Sequence, residues 1–373
     1  MIIYILIALS ISVAAFINLS PQFGTNPSKD QKQLYANYSN YENGEFQNVE
    51  EFIMMTEDMP MSEFFRDDSN RIPNKDLIHE KIDLESFINI DEDKIKVSWL
   101  GHSAFILNID GYILLLDPML GQYAAPLPLP SLKRYSSDIA FSIDDIDSID
   151  AVILSHDHYD HLDYSTIRQI KNKVKTFFVP DGLGNHLKGW GVNQESIIEL
   201  NWGESTNFNG IEFVCLPARH FSGRGPLNRN STLWCSWAIK SEYGKIYFSG
   251  DSGYGNHFKT IGEMHGPFDL SFIDCGQYNV AWKYSHMIPE EAVKASKDLV
   301  SDIDDDEMVD DDQLSTHVEE IPRAPSPAGH KHLVRIGTCD HCLGRVGGKK
   351  RFDQIIQQAG IDIRTSILQG DSH

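Results

Sequence analysis

One run of seven residues, Ser155-His156-Asp157-His158-Tyr159-Asp160-His161, limits what this chain can fold into more than any other feature. Three imidazoles and the carboxylate of Asp160 fall within six positions, directly after the apolar stretch 151–154. A short apolar run of that kind reads as a strand buried in a sheet. His156 and His158 alternate, so in an extended loop they point to one side. Asp160 and His161 then enter a helix and can face a second metal. Imidazole nitrogen and carboxylate oxygen are the ligands that zinc takes in catalytic sites, where one position stays open to water. Packing alone gives no reason for this spacing.

The surrounding pattern predicts layers of helix and sheet. Strands are expected at 96–100, 104–109, 112–116, 151–154, 176–179, 211–216, 233–240, 246–249 and 270–274. Asp110-Gly111 is a two-residue hairpin signal between the second and third of these. Helices are expected at 164–173, at 184–188 and at 289–299, where Pro289 with Glu290 and Glu291 makes a good helix start. Strands and helices mixed in this way imply an α/β layered fold. With 373 residues, 41% of them hydrophobic, the chain has material for one large domain with extensions.

Its ends differ in character. Residues 1–18 are almost wholly apolar and carry no charged side chain, which suggests a signal peptide or a membrane anchor. A buried N-terminal strand is the alternative. A membrane-associated or exported location in the cell envelope is therefore expected. Residues 19–92 are polar, rich in tyrosine and asparagine, and read as an extension wrapping the main domain at 93–300. Residues 301–332 form a linker: a dense acidic run that repels itself, then a Pro-rich piece. Residues 333–373 regain a weak pattern, with a possible strand near 333–336. The net charge of −22 argues against a nucleic-acid partner. Of the five cysteines, Cys215, Cys235 and Cys275 lie in apolar stretches and read as buried thiols, whereas Cys339 and Cys342 form a C-x-x-C pair.

Two further pieces extend the motif. Pro217-Ala218-Arg219-His220 places His220 at the end of the 211–216 strand, and Ser249-Gly250-Asp251-Ser252-Gly253 places Asp251 at the end of the 246–249 strand. Taken in this order, the three motifs resemble the metallo-β-lactamase superfamily. The series Trp99-Leu100-Gly101-His102-Ser103, Leu116-Asp117-Pro118, the His156–His161 run, Leu233-Trp234-Cys235-Ser236-Trp237, Gly266-Pro267-Phe268-Asp269 and His286 resembles the branch of N-acylphosphatidylethanolamine-hydrolysing phospholipases D and their bacterial outer-membrane relatives. The resemblance spans residues 20–300. It implies a four-layer αββα sandwich and two zinc ions. His156, His158 and His220 would hold one zinc and Asp160 and His161 the other, with Asp251 bridging. Asp117 would steer a ligand from behind, and His286 would lie in the substrate pocket. Asp160 and His286 are thus the catalytic candidates. Asp157, a non-ligand position of the run, is a candidate for managing a proton, with a merely hydrogen-bonded acid as the equal alternative.

The pattern departs from that branch at one place. The family supplies another histidine from a strand after the 289–299 helix, and here the chain passes into the acidic run instead. The sandwich is therefore expected to lack its last strand, leaving a bare sheet edge. The next histidine, His317, has neither the motif nor the setting. Thr338-Cys339-Asp340-His341-Cys342-Leu343-Gly344-Arg345 resembles a short segment of a tRNA pseudouridine synthase family. With nearby histidines, its cysteines could form a small zinc knuckle.

The resemblance implies a zinc-dependent phosphodiesterase acting on N-acylphosphatidylethanolamine-type phospholipids at a membrane surface, with a hydroxide between the two metals attacking phosphorus. Two alternatives remain: a lactonase or other metallo-hydrolase of a small phosphorylated substrate, and an inactive truncated domain fused to an interaction tail.

Overall fold

The first 56 residues stand apart from the two large sheets. Helix α1 (Ile2–Leu19) is apolar and mostly exposed. At 18 residues it spans about 27 Å by helical rise, and among the described residues no helix is long and apolar enough to cross a membrane. Helix α2 (Lys29–Tyr35) and the small hairpin of β1 (Tyr41–Glu42) and β2 (Glu45–Phe46) follow. Tyr35, Tyr41 and Phe46 pack on Leu233 and Trp234 of the main body, so this polar extension is anchored by aromatic side chains. A short helix, α3 (Leu84–Ile88), inserts Phe87 beneath the first sheet. The structure, a computed structural model, describes residues 1–56, 81–89, 94–134, 136, 139–276 and 279–300, together with two later strands.

The first sheet contains β3 (Lys94–Gly101), β4 (Ala104–Ile109), β5 (Tyr112–Leu116), β6 (Ile149–Ile153), β7 (Val174–Pro180) and β8 (Ile197–Leu200). Asp110 and Gly111 turn β4 into β5 with φ of 56° and 82°, the two positive values that a tight hairpin of matching twist requires. From β5 to β8 the pairing is parallel, with crossovers through α4 (Tyr164–Ile170) and α5 (Gly184–Gly189). Asp163 caps α4 by accepting the N–H groups of Ser165 and Thr166, and it also accepts that of Gly121, which ties the helix start to the loop after β5.

The second sheet contains β9 (Ser205–Phe208), β10 (Ile211–Leu216), β11 (Ser236–Lys240), β12 (Lys245–Phe248) and β13 (Leu270–Asp274). Its helices are α6 (His257–His265) and α7 (Pro289–Asp298). Two further strands close edges: β14 (Glu319–Pro322) lies antiparallel to β3, and β15 (Leu333–Gly337) lies parallel to β13. The edge beside β13 is therefore not bare. A segment from beyond the acidic run supplies the strand that was expected to be missing, because five residues are enough to pair from Leu270 to Asp274.

The two sheets face each other through Leu107, Leu114, Phe178, Phe213, Trp237 and Phe272. On the outer face of the first sheet lie Ile167, Ile170 and Leu187 of α4 and α5. On the outer face of the second lie Phe258, Ile261, Ala292 and Ala295 of α6 and α7. This is the expected αββα order. The strand predicted at 233–240 begins only at Ser236, because the Cys235 N–H bonds the carbonyl of Ser155 across the sandwich. The N-terminal segment is an exposed helix, not a buried strand.

Candidate metal centre

Within each sheet the strands that end at the site run the same way, so their C-terminal ends gather at one rim. β6 ends at Ile153 and releases His156; β10 ends at Leu216 and releases His220; β12 ends at Phe248 and releases Asp251. Gly250 allows the close approach at that rim. Its φ is 56°, and a Cβ there would sit 2.5 Å from the Cβ of Ser155.

His156, His158, His220 and Asp251 form one group whose ligand atoms all lie within 4.8 Å of one another. His158 Nδ1 is 2.9 Å from His156 Nε2 and 3.2 Å from His220 Nε2. Asp251 Oδ2 is 3.8 Å from His156 Nε2 and 3.7 Å from His220 Nε2. Donors at ~2.0–2.1 Å from one tetrahedral ion stand roughly 3.3 Å apart, so the observed spacings would suit a single metal ion. Burial, together with neighbouring imidazoles, pushes His156 well below its ordinary pKa. Burial does the same to His220 and lowers His158. The three are neutral at pH 7 and can donate lone pairs.

The other oxygen of Asp251 faces elsewhere. Oδ1 lies 3.0 Å from His161 Nε2, yet that buried nitrogen makes no hydrogen bond among the described residues. Two polar atoms side by side but not aimed at each other suit ligands that share an ion. Asp251 thus spans two groups of donors. His161 Nδ1 is 2.6 Å from Asp117 Oδ2, which also accepts the Ser155 hydroxyl at 2.5 Å, while Asp117 Oδ1 accepts the Ser155 N–H at 2.7 Å. A ring held from behind presents its far nitrogen in one direction. Burial alone would lower His161, but the carboxylates of Asp251, Asp117 and Asp160 outweigh it and raise the group well above its ordinary value. The same ring of negative charge favours a metal cation. Burial would raise Asp160; His161 and the hydrogen bond with His102 outweigh it and hold that carboxyl low.

His286 also reaches the rim. Its Nε2 is 3.9 Å from Asp251 Oδ2 and its Nδ1 is 3.0 Å from Asp274 Oδ2. Burial would lower His286, but Asp274 and Asp251 dominate and push it up to about 9. His158, Asp160, His220, Asp251 and His286 line one cavity, together with Phe105, Phe221, Phe248 and Phe272.

Of the two readings open for Asp157, the structure shows the contacts of a hydrogen-bonded buried acid. It is fully buried and absent from the lining of that cavity. Its Oδ1 accepts the Gly223 N–H at 2.7 Å, and its Oδ2 accepts the Thr232 hydroxyl at 3.0 Å and lies 3.2 Å from His186 Nε2. Burial opposes its ionisation, but the bond to His186 wins and holds it at about 2. These contacts suit an anchor of the loop. His186 passes the contact on: its Nδ1 accepts the N–H of Thr25, so the N-terminal extension is pinned to the metal loop.

Sequence reasoning left four residues here without a role. His102 was visible within a motif; Asp274, His186 and Asn48 carried no local signal. Asn48 binds the backbone of His220. His317, His341, Cys339 and Cys342 lie outside the described residues.

The comparisons with known proteins agree with this geometry. A model of the β-lactamase superfamily domain matches residues 112–303. An uncharacterized protein of Mycobacterium tuberculosis is 45% identical over 210 residues, covering 56% of each chain. An N-acyl-phosphatidylethanolamine-hydrolyzing phospholipase D of Caenorhabditis elegans is 38% identical over 219 residues, covering 55% of this chain and 61% of that one. The chain thus spans little more than half the length of these curated relatives. Among solved structures, an isothiocyanate hydrolase from Delia radicum gut bacteria superposes with a TM-score of 0.52 at 15% identity, over 74% of this chain and 97% of that one. That likeness concerns the fold. The segment similar to a pseudouridine synthase falls beyond the matched span and gains no support. A sandwich with its histidines and aspartates at one rim, matched by that domain over half its length, makes this chain a metal-dependent hydrolase that belongs to the metallo-β-lactamase superfamily.

Proposed function

We propose that the chain is a zinc-dependent phosphodiesterase that hydrolyses N-acylphosphatidylethanolamine-type phospholipids, releasing an N-acylethanolamine and a phosphatidic acid. The observation that carries this reading is Asp251, whose two oxygens face two separate groups of donors. His156, His158 and His220 would hold one ion, and Asp160 and His161 the other. A pair of such ions supplies a nucleophilic oxygen at neutral pH and stabilises charge growing on phosphorus.

The chain's own residues do the rest. Asp117 orients His161, and the carbonyl of Ser285, 3.0 Å from His220 Nδ1, orients His220. His286, held by Asp274 at the cavity wall, is placed to hydrogen-bond a phosphoryl oxygen or the departing alkoxide. The phenylalanines of the wall suit an apolar substrate portion beside the polar centre. The similarity to the nematode phospholipase D supports the substrate class. Exposed Ile3, Ile5, Leu6, Leu9 and Ile11 of α1 support a location against a lipid surface.

The test is hydrolysis of N-acylphosphatidylethanolamine vesicles by the zinc-loaded chain in water enriched in oxygen-18. The label should enter phosphatidic acid, because the bond that breaks is P–O. Turnover of a sugar-phosphate lactone with no attack on the phospholipid would overturn the reading in favour of a lactonase.

A further inference from the structure

We propose that His102 is a protein ligand of the second metal, completing a set with Asp160, His161 and Asp251. This rests on the two-metal reading above. His102 Nε2 lies 3.1 Å from Asp160 Oδ2, and the ligand atoms of His102, Asp160 and His161 all fall within 4.8 Å of one another. The rings of His102 and His161 are 5.3 Å apart and nearly edge to face. Asp251 Oδ1, 3.0 Å from His161 Nε2, borders this group of two imidazoles and a carboxylate on the side of the first metal's donors.

The backbone at His102 is built to aim it. The register of β3 against β4 shifts between Trp99 and Gly101, a local bulge that redirects the strand end. His102 itself has φ of 49°, a left-handed conformation that costs a non-glycine residue energy. The Trp99 indole N–H donates to the His102 carbonyl at 2.6 Å and holds that conformation. Strain stored at a cavity wall, with the ring tip among metal-type donors, has a direct use if the ring binds the metal. A histidine that only steadied Asp160 could do so from relaxed backbone.

The experiment uses the full chain, stripped of metal by a chelator and titrated with cobalt(II), with bound ions counted and the visible absorption of each recorded. The variants are His102→Asn, whose side chain tolerates a left-handed backbone, and His102→Gly, which removes the strain and leaves space for free imidazole. The wild-type chain should take two ions. His102→Asn should keep the first with unchanged affinity and absorption and bind the second at least 100-fold more weakly. Millimolar imidazole should restore the second absorption band in His102→Gly. Retention in both variants of two ions with the wild-type affinities and bands would overturn the assignment. So would a weakened second ion that keeps its wild-type band and ignores imidazole, since His102 would then act only through Asp160. A wild-type chain taking fewer than two ions would instead sink the two-metal reading itself. No substrate enters the titration, so failure of the phospholipid assignment does not affect it.

Discussion

Asn48 holds the backbone of His220 from both sides: its Nδ2 donates to the His220 carbonyl at 2.7 Å, and its Oδ1 accepts the His220 N–H at 3.1 Å. The two residues are 172 positions apart in sequence. A segment outside the sandwich thereby fixes the loop that presents the candidate metal ligand His220. Around this pair, Arg219 donates to the carbonyls of Glu51 and Tyr254 and stacks over Tyr284 at 4.0 Å.

Asn48→Ala should therefore weaken the first metal without removing any ligand. Loss of a supporting contact of this kind typically costs about 10- to 100-fold in metal affinity. Competition with a chromophoric chelator measures it. An unchanged affinity would show that the His220 loop holds itself.

Asp157→Asn separates anchoring from catalysis. The substitution removes the buried charge opposite His186 while keeping the shape. It should lower stability by about 2 kcal/mol, the range for losing a buried hydrogen bond to a charged group, and leave kcat of the folded fraction within about tenfold. A proton-carrying Asp157 would instead lose several orders of magnitude in kcat with stability little changed. Urea unfolding and steady-state kinetics on the same samples distinguish the two.

The pH dependence of stability has an identifiable source in a histidine that is not itself a candidate ligand. His257 lies with Nε2 3.2 Å from the Ser252 hydroxyl; burial, aided by the charge of Arg219, pushes it down to about 3. An unfolded histidine titrates near ~6.5. Between those values the unfolded chain binds a proton that the folded one refuses, so this contribution is complete above pH 6.5 and declines as pH falls toward 3. Asp181, pushed up to about 6 by burial, acts in the opposite sense and gains stability as pH falls below 6. The difference between wild type and His257→Gln isolates the first effect. Wild type should lose more of its urea midpoint between pH 7 and pH 5 than the variant does; equal losses would refute the assignment.

Much of the fold was legible because it is written locally. The Asp110-Gly111 turn, the proline-led start of α7 and the short apolar strands all follow from neighbours in sequence. The same holds for the His156–His161 run. What escaped reading depends on distance. Helix α6 buries only Phe258, Ile261 and Gly262, too few positions to show a period. β8 and β9 are four residues each, and β9 has no buried residue. Asp274 becomes a partner of His286 only when β13 ends beside the loop that carries it. Asp157 looked chemical because of its position between two histidines, but alternation turns it inward to His186. The strand near 333–336 was legible as β15, but its pairing with β13 was hidden by the acidic run that separates it from α7, since sequence order gives no reason to pair across it.

The proposed chemistry requires Asp251 to serve two metal ions. The direct measurement is zinc content of the purified full chain by atomic emission, with the zinc–zinc distance from X-ray absorption, for wild type and Asp251→Ala. Wild type should hold two zinc ions about 3.5–4 Å apart, and Asp251→Ala should retain one at most and show no metal–metal scattering. A wild-type chain that binds one zinc or none under saturating metal would contradict it.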